Sequence, residues 1–185
     1  MKSAEVRAIY CKVALFAAIA YFFRILTPDA GYVTYTTLLV IATLWLIYEL
    51  MQPEKRRILK PALTLGFFLM ALDFILQNLG FYAGLWSSPN SVFTVLAVPI
   101  EIMALALIGG SAWALHLPDR PDHEYISIEI MIFSVFGAIG EHLLILNGMM
   151  AYSGAWTAVH AFFGYVIVWM VLFQVWYAWL RKERI

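Results

Sequence analysis

The sequence holds one cysteine and few charges. Cys11 has no partner for an internal disulfide, and no CxxC or Cys/His metal spacing occurs. Charged residues make up 13% of the 185 positions, where a soluble domain carries about a quarter. Lys+Arg and Asp+Glu balance at 12 each, so net charge draws no nucleic acid. No Gly-x-Ser-x-Gly elbow appears. These absences exclude a secreted disulfide scaffold, a nucleic-acid binder and an ordinary cytosolic enzyme. What is present is apolar: 63% of residues, with a mean hydropathy of +0.81.

Six stretches, near 8–27, 32–51, 61–82, 92–115, 125–149 and 156–180, each suit a helix that crosses a hydrocarbon core of about 20 residues. Pro and Gly punctuate the intervals, as in Thr27-Pro28-Asp29, Gln52-Pro53-Glu54, Ser88-Pro89-Asn90 and Leu117-Pro118-Asp119. No strand alternation competes, and an open sheet leaves its backbone unsatisfied in lipid. The expected fold is all-α: residues 1–185 as one polytopic membrane bundle of six helices. With the N-terminus inside, every Lys and Arg except Arg24 falls on the cytoplasmic side. Both termini are then cytoplasmic in the cell membrane, and the basic-then-apolar first helix reads as a retained anchor. The short outer connections carry or border Tyr32, Tyr82, Trp86, Tyr152 and Trp156, as an aromatic belt would.

Ionisable groups inside spans are costly and tend to mark function. Asp73 lies about 18 Å along the third span, Glu101 about 13 Å below the outer end of the fourth, and Glu141 about 24 Å along the fifth. His160 is about 6 Å into the sixth from outside. Gln77, Asn78 and Asn147 occupy similar levels in the outer half. Asp73-Gln77-Gly80-Phe81 and Glu141-Ile145-Gly148-Met149 each form one helical stripe, which should face protein or a water pocket. Interhelical hydrogen bonds explain any one of these groups; their convergence in one half of the bundle favours a site. Glu49 and Glu129, near inner helix ends, are expected to snorkel or to pair with basic loops. Gly109-Gly110-Ser111 suits close helix contact.

An internal echo links 73–86 with 141–156. Each has an acid, a Gly seven residues later and then a Gly-x-Trp, so helices 3–4 and 5–6 are a candidate parallel repeat.

From Gln77 to Glu101 the chain reads QNLGFYAGLWSSPNSVFTVLAVPIE. This segment resembles the membrane-embedded lycopene cyclase domain, whose helix pair carries Asp-Asn, Gly-x-Trp, a loop Pro and Pro-x-Glu-Glu. Asn78, Gly84, Trp86, Pro89, Pro99 and Glu101 keep that order. Prokaryotic carotenoid hydratases look similar in size and helical character. Gln77 stands in place of the motif's Asp, Ile102 in place of its second Glu, and the sixth helix has no second Pro-x-Glu-Glu. Asp73, one turn before Gln77, can return a carboxyl to that face. The resemblance implies cyclisation or hydration of a carotenoid or related polyprenoid.

The residues suit such chemistry. A carboxyl withdrawn from water resists ionisation and can serve as a general acid. Protonating an alkene gives a carbocation, which aromatic faces and a second carboxylate stabilise. Internal attack then closes a ring, and water gives an alcohol. The expected roles are Glu101 as proton donor and Asp73 and Glu141 as counter-charges or base. Trp86 and Trp156 line the entrance, with Asn78, Asn147 and His160 as further substrate contacts. Pro99, lacking an N–H, is expected to leave the Val95 carbonyl free and shape the cavity. No cofactor or metal is expected, since adjacent Glu141 and His142 point about 100° apart on a helix. Three other readings remain: a lipid or small-cation binder or transporter, a metal site of Asp73, Glu141, His142 and His160, and a structural subunit of a larger complex. The expected partner is a membrane lipid or polyprenoid, with homo- or hetero-oligomers open.

Overall fold

The computed structural model of the chain describes residues 3–25, 31–89, 93–120 and 122–181. The expected turn at 27–30, Asn90, Lys2, Lys182 and Arg184 lie outside the described residues, as do the side chains of Arg24 and Tyr32. The described chain is all-α. Its seven α-helices are α1 (Ser3–Ile25), α2 (Gly31–Leu50), α3 (Pro53–Arg56), α4 (Leu59–Tyr82), α5 (Ile100–His116), α6 (His123–Leu146) and α7 (Ala158–Val175). A π-helical turn, Trp176–Leu180, extends α7.

Among the described residues, α4, α6 and the Ala158–Leu180 run are long and apolar enough to cross a membrane, while Tyr35–Leu50 and α5 are shorter apolar helices. Their outer faces are greasy: Leu44, Phe67, Ile75, Phe163, Ile167 and Met170 are each more than half exposed. Such a surface is a liability in water and the right one for lipid. The chain is a multi-pass helical membrane protein.

The fourth apolar stretch differs from expectation. Helix α5 starts only at Ile100 and its 17 residues span about 25 Å, short of a hydrocarbon core of about 30 Å. The residues before it form a hairpin of β2 (Thr94–Val95) and β3 (Val98–Pro99), closed by the Ile100 N–H on the Phe93 carbonyl at 3.1 Å. Pro99 is therefore the N-cap of α5, at φ −61° and ψ 135°, and breaks no helix hydrogen bond. Proline fits there because the start of a helix has no use for its missing N–H. Leu96 turns the hairpin at φ +55°. Asn78 of α4 holds this strained turn through its Oδ1, which accepts the Ala97 N–H at 3.2 Å.

A second short ladder joins the connection after α4 to the connection after α6. β1 (Trp86–Ser87) pairs antiparallel with β4 (Ala151–Tyr152), Trp86 opposite Tyr152. Helices α4 and α6 reach this ladder by the same local geometry. Gly84 and Gly148 sit just past the helix ends at φ +70° and +69°, a left-handed conformation that glycine adopts without penalty. In both, the following N–H (Leu85, Met149) reaches back to a carbonyl five residues earlier (Gly80, Leu144), at 2.9 and 2.8 Å.

Helix α5 packs along α4 and α2, α6 along α7, and α1 on α6. The α4–α5 crossing is close because Gly66 has no side chain: a Cβ there would lie 2.2 Å from Ser111 Oγ and 2.4 Å from the Leu107 carbonyl. Small residues let membrane helices approach in this way. The buried core gathers at the basic end, around Leu65, Trp113, Leu117, Tyr125, Leu172 and Trp176. Arg181 donates to the Pro118 carbonyl at 3.1 Å and pairs with Asp119, tying the last helix to the end of α5.

Candidate functional site

Beyond that core the helices separate around a cavity of about 380 Å³. Three helix stripes build its wall: Leu69, Asp73 and Gln77 on α4; Phe133, Gly137 and Glu141 on α6; Tyr165 and Trp169 on α7. Each is an i, i+4 series, so one helix face delivers all its members to the same space. α2 adds Tyr35 and Trp45, α5 adds Gly110 and Trp113, and α1 closes a side with Phe16.

The two ends of the cavity differ in chemistry. Towards the core the wall is aromatic, with Phe133 and Trp169 centroids 4.5 Å apart, Trp113 and Trp169 4.9 Å, and Phe16 and Phe133 5.2 Å. Towards the β1–β4 ladder it carries two carboxyls, close enough for Asp73 to feel the charge of Glu141. Gln77 hydrogen-bonds Asp73 and accepts the Trp86 indole N–H at 3.0 Å. Glu141 accepts hydrogen bonds from the Tyr152 and Tyr165 hydroxyls. Gly137 makes room for Tyr165, since a Cβ there would come within 2.9 Å of its ring. Tyr152 lies in the α6–α7 connection, where burial pushes its phenol above the ordinary range and the bond to Glu141 adds to the rise.

The expected site residues divide. Asp73 and Glu141 share the cavity. Glu101 is not in its wall: it occupies the first turn of α5, with Oε2 buried and without a hydrogen-bond partner. A carboxylate there faces the positive end of the helix dipole. Buried Tyr35 stands between, lining the cavity while hydrogen-bonding Ser88 and lying within electrostatic reach of Glu101. Asn78 serves the β2–β3 hairpin and gives its second bond, at 2.8 Å, to the Phe74 carbonyl. Asn147 is the C-cap of α6. Trp86 and Trp156 pack together at 4.7 Å over the carboxyl end, and Gly80 accommodates the Trp86 ring. His160 is exposed, stacked on Trp156 at 5.4 Å with its Nδ1 2.8 Å from Thr157 Oγ1. Glu101, Asn78, Asn147, Trp86, Trp156 and His160 thus surround the cavity without lining it. Gln77, Tyr35, Tyr165 and the inner aromatics, which do line it, were not among the expected site residues.

The internal echo also changes register. Structure matches Gly84 with Gly148, so the residue seven before each is Gln77 in α4 and Glu141 in α6. Asp73 then corresponds to Gly137, and the acids sit one turn apart in the two helices.

Glu49 and Glu129 do not reach for basic loops. Glu129, fully buried, pairs with Lys12 of α1, whose ammonium also donates to Tyr125 Oη at 2.9 Å. Glu49 lies 2.7 Å from His116 Nδ1 and accepts the Trp45 indole N–H at 3.2 Å. Lys55, in α3, instead caps the Leu115 carbonyl; burial pulls its ammonium below the usual range, against the opposing pull of Glu49. Among the described residues, no group of three His, Cys, Asp or Glu side chains is placed to hold a metal ion. No family model matches the chain, and neither a curated protein nor a solved structure matches it.

Proposed function

We propose that the protein is a six-span bundle with cytoplasmic termini that performs acid–base chemistry on a lipid-borne polyene, cyclising or hydrating the end of a carotenoid or related polyprenoid. The observation that carries this reading is the placement of Asp73 and Glu141 in one cavity walled mostly by aromatic and aliphatic side chains. A carboxyl in such surroundings can serve as a general acid, with the other at hand to balance charge. One donates a proton to a terminal double bond, and the carbocation forms against the faces of Phe133, Trp113 and Trp169. The second carboxylate offsets the developing charge and takes a proton back when a ring closes, or draws one from the attacking water. Tyr165, Tyr152 and Gln77 hold the carboxyls by hydrogen bonds. Glu101, the donor expected from sequence, becomes a residue of the α5 start.

Size supports a chain end as the reacting part. A volume of about 380 Å³ lies at the lower end of small-molecule pockets, enough for a terminal segment. The matched ends of α4 and α6 support a parallel repeat of α4–α5 and α6–α7, with the cavity at its interface. The resemblance around Gln77–Glu101 points to the same substrate class. Mass spectrometry of extracts from hosts making acyclic carotenoids tests the reading. A new isomer means cyclase and a product heavier by one water means hydratase; either must vanish in Asp73→Asn and Glu141→Gln and persist in Glu101→Gln. Unchanged extracts across several such hosts would instead favour a binding, transport or subunit role.

A further inference from the structure

The basic end of the bundle carries two kinds of cation. Lys55 and Arg181 are committed to the chain itself, capping the Leu115 and Pro118 carbonyls. Arg56 and Lys60 are not. Both are exposed, and among the described residues neither meets a carboxylate. Arg56 spends only its Nε, on the Leu50 carbonyl at 2.8 Å, which leaves both terminal amino groups of the guanidinium to bind elsewhere.

These two cations line one groove of about 490 Å³ with Leu59, Leu63, Thr64 and Phe67. The groove runs along the face of α4 turned away from α5, since Ala62, Leu65 and Gly66 occupy the buried side. Its chemistry changes along the helix: Arg56 and Lys60 flank Leu59 at one end, Leu63 and the Thr64 hydroxyl follow a turn on, and the half-exposed Phe67 ring closes the apolar end. Lys60 and Phe67 are about 10 Å apart along the axis. A phospholipid has the same order of groups, anion first and hydrocarbon beneath.

From this juxtaposition of Arg56 and Lys60 beside Leu59 and above Leu63 and Phe67 we infer that the α3–α4 face binds one anionic phospholipid, its phosphate between the two cations and an acyl chain along the apolar side chains. Arg56 offers a planar fork to the phosphate oxygens and Lys60 a point charge, the usual division of labour between these side chains. The site is separate from the cavity and stands whether or not the cavity is catalytic.

Native mass spectrometry of the full chain released from mixed micelles tests it, with phosphatidylglycerol and phosphatidylcholine of identical chains as probes. The wild type should retain phosphatidylglycerol about tenfold over phosphatidylcholine. Arg56→Gln with Lys60→Gln should bring the two lipids to parity. Arg120→Gln, an exposed cation of the neighbouring loop, should keep the preference. Should the double variant misfold, Lys60→Glu alone, which leaves the groove one charge of each sign, should likewise bring the two lipids to parity. Parity in the wild type, or a preference that survives loss of both charges, would overturn the site. Displacement of phosphatidylglycerol by equimolar inorganic phosphate would overturn the lipid as its occupant.

Discussion

Trp86 and Tyr152 stand opposite one another in the β1–β4 ladder, and each turns its side-chain donor back to its own helix. The Trp86 indole N–H reaches Gln77 on α4, and the Tyr152 hydroxyl reaches Glu141 on α6. Gln77 in turn holds Asp73. Both cavity carboxyls are therefore positioned from the β1–β4 ladder, through one intermediary on α4 and directly on α6.

Replacing Tyr152 by Phe removes a hydrogen bond to a group withdrawn from water. The expected cost is about 1–3 kcal/mol of stability, visible as a lower Tm in detergent. Product formation in the carotenoid hosts should fall with it. The same substitution at Tyr82, an exposed residue at the end of α4, should change neither. Equal effects at the two positions would deny Tyr152 its place on Glu141.

Alkaline titration reads the same contact. The Tyr152 phenol is raised above its usual value near 10, so the folded state favours its neutral form. That contribution is complete below pH about 10 and is lost as pH climbs through the higher folded value. The wild type should therefore lose Tm faster than Tyr152→Phe above pH 10. Ultraviolet difference spectra of the two proteins should place this phenolate later than that of an exposed tyrosine.

Lys12 and Glu129 form a buried ion pair that ties α1 to α6, one turn from the Phe16–Phe133 contact. Lys12→Met leaves Glu129 uncompensated and should cost about 3–5 kcal/mol. Adding Glu129→Leu should recover most of that loss, because two apolar side chains no longer need each other. Thermal unfolding of both singles and the double closes the cycle. Additive losses would mean the pair is not coupled.

Hydropathy located the helices well because a lipid-facing helix must be apolar along its whole length, as α4, α6 and α7 are. It misplaced the start of α5, since Thr94–Pro99 is as apolar as the helix that follows. Over six residues an apolar hairpin and a helix read alike. Pro99 was the available signal: preceded by Ala97-Val98, it marks a helix start as readily as a kink. Glu101 moved out of the wall with that boundary. The acids Asp73 and Glu141 were legible because charge is rare in such stretches. Their partners were not, for Tyr152 and Tyr165 look like any aromatic of a membrane helix or its rim. Only the ladder bringing β4 to β1, a contact between distant segments, reveals what Tyr152 does.

The central claim is that a carboxyl of the Asp73–Glu141 pair protonates carbon. Running the reaction in deuterium oxide, in membranes from a host that makes the acyclic polyene, tests it most directly. Mass spectrometry of the product should find one deuterium on carbon at the site of protonation, with no such product from Asp73→Asn or Glu141→Gln. A product free of carbon-bound deuterium, or full activity in both variants, would contradict the account.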